Sequence, residues 1–384
     1  MVTIQSADSA LKSFYLDAVT ESLNTKINPF LAKIEHTSNY VTGKEVRKVL
    51  RVGLNGGIAA GTETGDLPAS ETTKYRQMVA PLKNLYGTIE ISDKAVRASA
   101  NNEGAFVNLV NEEMQTLIKS AQFQFGRMLF GDGTGKLGII KGTDSVWLNV
   151  SNIQNFAVGM RVDILGANST FQGIMIKDVN YLDECICFDL YIDVPSSVIG
   201  MPIVVHGVQE NDELTGLGAI FSGNEIYGLD RDEIALRPYI YEDFGEFDEM
   251  RVQYAIDTIE ANSGHKVNFI ICSWDVRRLI QNYYRENGIS LKTYKTEEGF
   301  TAIDFMGIPM VVDKFCPAGV MYLLTTECFK LCQLCDWQWL ESENGKILKQ
   351  VPGKPVYTAT LVKYAELICE NLSAQGMLTG IGIE

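Results

Sequence analysis

The chain has 384 residues, a formal net charge of −15, 46% hydrophobic residues and 21% charged residues. This is the composition of a folded globular protein with one large domain or two to three smaller ones, and it excludes an intrinsically disordered chain. So acidic a surface does not suit binding to phosphate backbones, although acidity commonly serves solubility alone. No apolar run could span a bilayer and the first residues lack a secretion signal, so we expect no membrane association and no export.

The cysteine and histidine pattern argues against a metal site. Cys328, Cys332 and Cys335 are spaced C-x3-C-x2-C, and Cys185 and Cys187 form a second close pair. A structural zinc site usually needs two close pairs of ligands, and the three histidines are far apart in the sequence. Most of the eight cysteines lie in apolar, strand-like segments, which is typical of reduced, buried residues in a cytosolic protein. We therefore expect no metal and no cofactor.

Residues 1–43 contain a short helical pattern. Apolar residues recur at spacings of three and four between Leu11 and Leu23, and Asn28-Pro29 ends the run. The segment is either an arm that packs on a neighbouring subunit or the first helix of a domain.

Residues 44–91 are predicted to form a long β-hairpin. The strand-like stretches KEVRKVLRV and KYRQMVAPLKNLYGTIEIS flank a polar, glycine-rich middle. Because a long hairpin without its own core is marginally stable, it needs either its own domain or a partner subunit to lie on. The glycines are candidate hinges, since glycine permits many backbone angles. They are Gly53, Gly56, Gly57, Gly61 and Gly65.

Residues 104–130 are predicted to form a long helix that begins after Asn101 and Asn102 and stops at Gly131. Its length is about 40 Å at 1.5 Å per residue. A single apolar stripe indicates that one side packs on a sheet, with Arg127 among the polar residues off the stripe. The stripe contains Phe106, Val110, Met114, Leu117, Ala121, Phe125 and Met128.

Residues 143–215 contain short strand-like segments separated by turn residues at intervals near ten, which predicts a small β-barrel or sandwich inserted into the main domain. Residues 225–260 are strongly acidic and include a helical pattern, which favours a solvated face. Residues 266–372 alternate strand-like pieces with one helix that Ser273 should cap. Helices and strands mix without strict alternation, so the fold class is α+β.

No segment carries a recognised catalytic pattern. GDGTGKLG at residues 131–138 is not a phosphate-binding loop, because Leu137 follows Lys136 where a serine or threonine should stand. Scattered histidines exclude most histidine-based chemistry, and the acidic residues are not arranged with a nucleophile or base. We therefore expect no enzyme activity, with a carboxylate- or zinc-dependent enzyme as the alternative from another class.

The order of these parts resembles the major capsid proteins of tailed bacteriophages, whose fold is named after phage Hong Kong 97. The most specific stretches are Leu85–Ser92 leading into Ala105–Gly138, the segment MGIPMVVD with GVMYLL after it, and Tyr357–Ile381. No single motif is diagnostic, and the order of the parts over essentially the whole chain carries the resemblance.

The resemblance implies a division of the chain. Residues 1–43 would be the N-terminal arm, 44–91 the extended loop over an adjacent subunit, and 92–142 the peripheral domain with its spine helix at 104–130. Residues 143–215 would be an inserted β-domain on the outer surface and 216–265 the rest of the peripheral domain. Residues 266–340 would supply the axial domain, and 341–384 would return to close the sheet.

The resemblance also implies the function. The chain would form pentamers and hexamers that build an icosahedral or prolate head around double-stranded DNA, without sequence-specific binding. It would assemble in the host bacterial cytoplasm and end in the virion. No charged coiled-coil segment precedes the arm, so we expect a separate scaffolding protein, besides a portal protein and, as a further candidate, a decoration protein. The nearest alternative is an encapsulin-type shell that encloses enzymes.

One electrostatic hypothesis concerns contacts between subunits. The base of the loop is basic, the segment after residue 241 is acidic, and complementary charges across an interface set its register. The basic candidates are Lys44, Arg47, Lys48 and Arg51, and the acidic candidates are Glu242, Asp243, Glu246, Asp248 and Glu249. Lys44, Lys48 and Lys74 are the loop lysines that could cross-link to a neighbour, but we expect no cross-link.

Overall fold

A computed structural model describes residues 28–382 except for 54, 66–68, 70, 95–102, 145, 167–170, 190–193, 210, 232–235, 297–298 and 342–346, and only the backbone of residues 103–111. The first part of the predicted arm therefore lies outside the described residues. None of the helices in these ranges has the length and hydropathy needed to cross a membrane.

The helices are α1 Pro29–Lys33, α2 Glu103–Met128, α3 Leu217–Ile220, α4 Glu249–Ser263 and α5 Trp274–Glu286. The predicted long helix is confirmed as α2. Within its described side chains, Met114 and Phe125 are buried on the predicted stripe. Helix α5 begins after Ser273 as predicted, although the Ser273 hydroxyl accepts no capping hydrogen bond.

The strands fall into four larger groups and one small pair. In chain order they are β1 Glu35–Thr37, β2 Val41–Thr42, β3 Glu45–Arg51, β4 Tyr75–Pro81, β5 Lys83–Ser92, β6 Lys136–Asp144, β7 Trp147–Val150, β8 Arg161–Ile164, β9 Ile174–Asn180, β10 Cys185–Phe188, β11 Pro202–Val205, β12 Glu225–Ile226, β13 Leu229–Asp230, β14 Tyr239–Tyr241, β15 Phe269–Cys272, β16 Thr293–Lys295, β17 Thr301–Phe305, β18 Ile308–Val312, β19 Met321–Leu324, β20 Phe329–Trp339, β21 Lys349–Gln350, β22 Val356–Cys369 and β23 Gly376–Leu378.

A five-stranded sheet forms the centre of the molecule. Its order is β1-β20-β22-β21, and β5 pairs antiparallel with β22 along ten residues. Helix α2 crosses β5 closely, since a side chain at Gly87 would press into Leu117. The largest apolar core lies between this helix, this sheet and the inner face of the next one.

A seven-stranded sheet has the order β14-β23-β19-β15-β18-β17-β16. Alternate residues of its strands point to opposite faces. Ile271 and Tyr322 join the central core, whereas Ile270 and Leu323 join a second core that α4 and α5 cover. The residues of this sheet do not coincide with the predicted axial segment, residues 266–340. Strands β14 and β23 belong to the sheet but lie outside that segment, whereas β20 lies inside the segment but belongs to the five-stranded sheet.

Strands β6 to β11 close into a barrel in the order β10-β7-β6-β11-β8-β9, with an apolar core of its own. All the short strands predicted here are present. The barrel begins at Lys136, earlier than the predicted 143, because β6 pairs with both β7 and β11 and closes the structure. The glycines and lysines of β6 hide its strand character in the sequence.

Strands β2, β3 and β4 form a three-stranded sheet that carries the predicted hairpin. The hairpin boundary was wrong: the second arm ends at Pro81, and β5 leaves it for the central sheet. Pro81 has no backbone N–H to donate to a sheet, which suits the last position of a strand.

Candidate assembly site

The base of the hairpin packs on its own subunit. Val46, Leu50, Met78 and Ala80, on the inner face of β3 and β4, are buried in the central core. The Val79 amide also donates to the Tyr227 carbonyl, 3.1 Å away. Of the two alternatives left open for residues 44–91, the base of the hairpin therefore lies on its own domain, so the stronger expectation that the segment needs another copy of the chain is wrong for the base.

The rest of the hairpin is mostly exposed, apart from Val52 at its start, which is half-buried against the central core. Between residues 52 and 74, which we call the hairpin tip, none of the described residues is buried. Ile58 is 89% exposed within the tip, and Val49 and Tyr75 are 60% and 58% exposed on the outer face of the base. The chain thus carries a polar, glycine-rich projection, with the exposed Ile58 within it, on an anchored base.

Two glycines of the tip allow the two arms of the hairpin to lie close together in this conformation. A side chain at Gly56 would collide with Glu71 of the opposite arm, and one at Gly57 would come within 3.3 Å of the Ala69 carbonyl. None of the five predicted hinge glycines has a positive φ, whereas Gly43, in the turn before β3, has φ 66°. Their role as hinges stays a prediction.

A network of charges anchors the hairpin base. Lys48 forms an ion pair with Glu370, and the Lys330 ammonium lies 3.4 Å from the same carboxylate and 3.0 Å from Glu35. Both lysines lie over the ring of Tyr40, at 4.1 and 5.2 Å from its centroid. Burial opposes the charge of Lys330, but the hydrogen bond to Glu35 and the charge of Glu370 raise its pKa.

The basic candidates are thus not equally available to a neighbour. Lys48 is bound within its own subunit, and Arg47 pairs with Glu45 on the same strand. Lys44 and Arg51 are exposed. The predicted basic surface is therefore smaller than the sequence indicates, because the main partner of Lys48 is 322 residues away in the chain.

The acidic candidates also differ in how available they are to a neighbouring subunit. Glu242, Asp243 and Glu246 are exposed. Asp248 caps α4 by accepting from the Met250 amide at 2.9 Å, and Glu249 accepts from the Tyr284 hydroxyl at 2.7 Å.

Two buried ion pairs were missed by the sequence analysis. Arg127, predicted on the polar side of α2, is 2% exposed and forms a bidentate pair with Glu213. Lys83 lies 3.6 Å from Glu366. Burial raises the pKa of Glu366 to about 7, although the charge of Lys83 opposes this shift. These pairs lie where the connection after the barrel meets α2 and the central sheet.

The described residues offer little for catalysis. No group of three or more potential metal ligands occurs among them. Five of the cysteines are buried, and Cys185, Cys187 and Cys335 are half-buried. A cleft of about 790 Å³ lies between β5, α2 and the connection after the barrel. Its charged lining residues are Lys83, Asp212 and Glu213, of which Lys83 and Glu213 are held in ion pairs.

The architecture is mixed α+β with the fold of phage capsid proteins. It is similar to the capsid asymmetric unit of cyanophage A-1(L), with a TM-score of 0.54, 11% identity, and coverage of 94% of this chain and 92% of that chain. At this identity the likeness establishes the fold.

Two further structures match less closely. The capsid of Myoviridae phage XM1 has a TM-score of 0.48 at 10% identity, covering 91% of this chain and 90% of that one. The SrpI encapsulin of Synechococcus elongatus has a TM-score of 0.45 at 9% identity, covering 92% and 88%. No protein-family model and no curated protein sequence matches the chain.

Proposed function

We propose that this chain is the major capsid protein of a tailed bacteriophage, which assembles with copies of itself into a closed shell around double-stranded DNA. The observation that carries the proposal is the exposed hairpin tip on its anchored base. A projecting hairpin segment without a core is marginally stable in water, and Ile58 adds exposed apolar area to it. A neighbouring copy would cover it.

The rest of the fold suits the same role. In this proposal α2 is the spine helix of the peripheral domain, the seven-stranded sheet is the axial domain, and the barrel is an inserted domain on the outer surface. The anchored base corresponds to the root of the extended loop, which spans residues 45–81 rather than 44–91. Large contact areas shared by many copies let a shell resist internal pressure without any single strong contact.

The proposed role as a capsid protein implies which molecules the chain would bind. The chain would bind itself in pentamers and hexamers, and scaffolding, portal and decoration proteins would be separate chains. The net charge of −15 suits a container, because an acidic wall does not hold a phosphate backbone. Assembly would take place in the host cytoplasm, and the product would be the virion shell.

The proposal is tested by expressing the chain with the proteins of its phage head and imaging the purified particles by electron cryo-microscopy. Closed shells that protect double-stranded DNA from nuclease are expected. Shells that enclose a protein cargo and no DNA would favour the encapsulin alternative. A chain that remains monomeric under these conditions would contradict both.

A further inference from the structure

The seven-stranded sheet has two open edges. Among the described residues, β14 pairs only with β23, and β16 pairs only with β17. An edge strand presents backbone groups and side chains to whatever lies beside it, so exposed edges are common sites of association. The two edges lie at opposite ends of the same sheet, and they differ in charge.

The edge at β14, which we call the acidic edge, combines apolar and acidic side chains. Met250 and Tyr254 on α4 are 73% and 67% exposed, and Tyr241 of β14, on the face of the sheet that α4 covers, is 37% exposed. Ile240 is 39% exposed on the opposite face of the same edge strand. Exposed acidic side chains border this patch and outnumber the exposed Arg237 and Arg251. They are Glu242, Asp243 and Glu246, which follow β14, and Asp257, which lies one turn after Tyr254 on α4.

Strand β14 and helix α4 form one surface. Tyr239 of β14 packs on the second core, to which the buried side of α4 also contributes, and Tyr241 lies on the same face of the strand. Exposed apolar side chains that are grouped and bordered by charge mark an interaction surface rather than the scattered exposure of an ordinary monomer.

The edge at β16, which we call the basic edge, has the opposite charge. All three residues of β16 are exposed, including Tyr294 and Lys295. Ile289 and Tyr294 are 52% and 43% exposed. The exposed Arg285 and Lys292 lie in the same segment, where Glu286 is the one exposed acidic side chain among the described residues from 285 to 295. This edge therefore also combines apolar and charged side chains.

We propose that the acidic edge of one copy packs against the basic edge of the next. This inference rests on the proposed function and names the surfaces by which copies of the chain meet. Because the two edges lie at opposite ends of one sheet, the contact is head-to-tail, and in a closed shell its rotation closes into a ring. Two like edges would repel each other, so charge sets the direction as well as the register.

The pairing gives the acidic segment a different partner from the basic base of the loop. Lys48 of the loop base is bound to Glu370 in its own subunit, whereas Lys292 and Lys295 of the basic edge are exposed. The basic edge also carries exposed apolar side chains that match those of the acidic edge, which provides contact area as well as charge.

Charge reversal of each edge tests the pairing. One variant carries Glu242→Lys and Asp257→Lys, so that both edges are basic. The other carries Lys292→Glu and Lys295→Glu, so that both are acidic. Asp243 is left unchanged because its φ of 52° would strain a longer side chain. The matched control is Lys136→Glu with Lys354→Glu, two exposed lysines far from both edges in the sequence.

The oligomers are measured by native mass spectrometry, and circular dichroism confirms folding of each variant. Each single-edge variant alone should lose rings, while the control retains them. A one-to-one mixture of the two variants should form rings with an even number of subunits, because acidic and basic copies must alternate. The chain carrying all four changes should form rings again.

Rings formed by either single-edge variant alone, or no association in the mixture and the four-change chain, would overturn the inference. If shells that protect DNA form normally from a single-edge variant, the edge pairing fails and the proposed function stands. If rings depend on the edges as expected but no closed shell ever forms, the proposed function fails and the pairing stands.

Discussion

Four charged side chains are buried where the barrel connection, the long helix and the central sheet meet. Arg127 is held by Glu213 and Lys83 by Glu366, and the Lys83 ammonium also donates to the Asn211 carbonyl at 2.5 Å. A buried ion pair adds little net stability over a well-packed apolar pair, but removal of one partner leaves a buried charge without compensation. These residues therefore fix the position of the barrel connection rather than supply most of the stability.

Replacement of Arg127 by methionine is expected to lower the free energy of unfolding by about 3–5 kcal/mol, because Glu213 remains buried without its partner. Urea unfolding monitored by circular dichroism measures the loss. The double variant Arg127→Met, Glu213→Leu should recover most of it. As a control, Lys141→Met breaks the exposed pair with Glu184 on the barrel and should cost at most about 1 kcal/mol. Equal losses in the two single variants would contradict this account.

Glu366 should make stability depend on pH. Its folded pKa of about 7 lies above the ordinary 4.5, so the folded chain keeps a proton that the unfolded chain releases. Stability from this group is therefore full below pH 4.5 and declines as the pH rises towards 7. The total decline is about 3 kcal/mol, at 1.36 kcal/mol for each pKa unit.

The change Glu366→Gln should remove this decline, since an amide does not titrate. Urea unfolding of both chains at pH 5 and pH 8 measures the difference. Asp313, whose pKa burial raises to about 6, adds a decline of the same sign that both chains retain. Parallel pH profiles for the two chains would contradict the buried, titrating state of Glu366.

The elements show how far local patterns predict this fold. Helix α2 and strands such as β15 and β22 follow from apolar spacing, because a period of 3.6 or a continuous apolar run is visible within a short window. The end of the hairpin at Pro81 is not visible in this way. The residues from 74 to 92 form one strand-like run, and β5 leaves the hairpin because its partner β22 lies about 270 residues later.

Only part of the candidate site could be predicted, because local patterns do not reveal partners that are distant in the sequence. The hairpin, its polar tip and the acidic segment follow from composition and turn residues. The anchorage of Lys48 by Glu370 and the burial of Arg127 by Glu213 depend on side chains 322 and 86 residues away in the chain. No periodic pattern records such pairs, so a charge in the sequence does not reveal whether it faces solvent or a buried partner.

The hairpin tip should be dispensable for the fold of the subunit. Arg51 and Tyr75 lie opposite each other at the ends of β3 and β4, so the two-residue turn Asn-Gly can replace residues 52–74. Because no described residue of the tip is buried, the shortened chain should keep its far-ultraviolet circular dichroism and its urea midpoint. A shift equivalent to more than about 1 kcal/mol would mean that the tip packs on its own body.

At the scale of the whole molecule, the exposed features fit the proposed role of a shell subunit. The tip, the acidic edge and the basic edge expose apolar side chains at three separated places, and a shell subunit needs several contact surfaces for its several neighbours. The tip would join the body of an adjacent copy, and the two edges would join copies around a ring. Such a subunit is complete only in the assembly.

Sedimentation velocity of the wild-type and tip-shortened chains, at the same concentration and with the same assembly partners, tests the central claim most directly. The account predicts rapidly sedimenting shells from the wild-type chain and only subunits or small rings from the folded, shortened chain. Shells of normal size from the shortened chain, or a wild-type chain that sediments as a monomer, would contradict it.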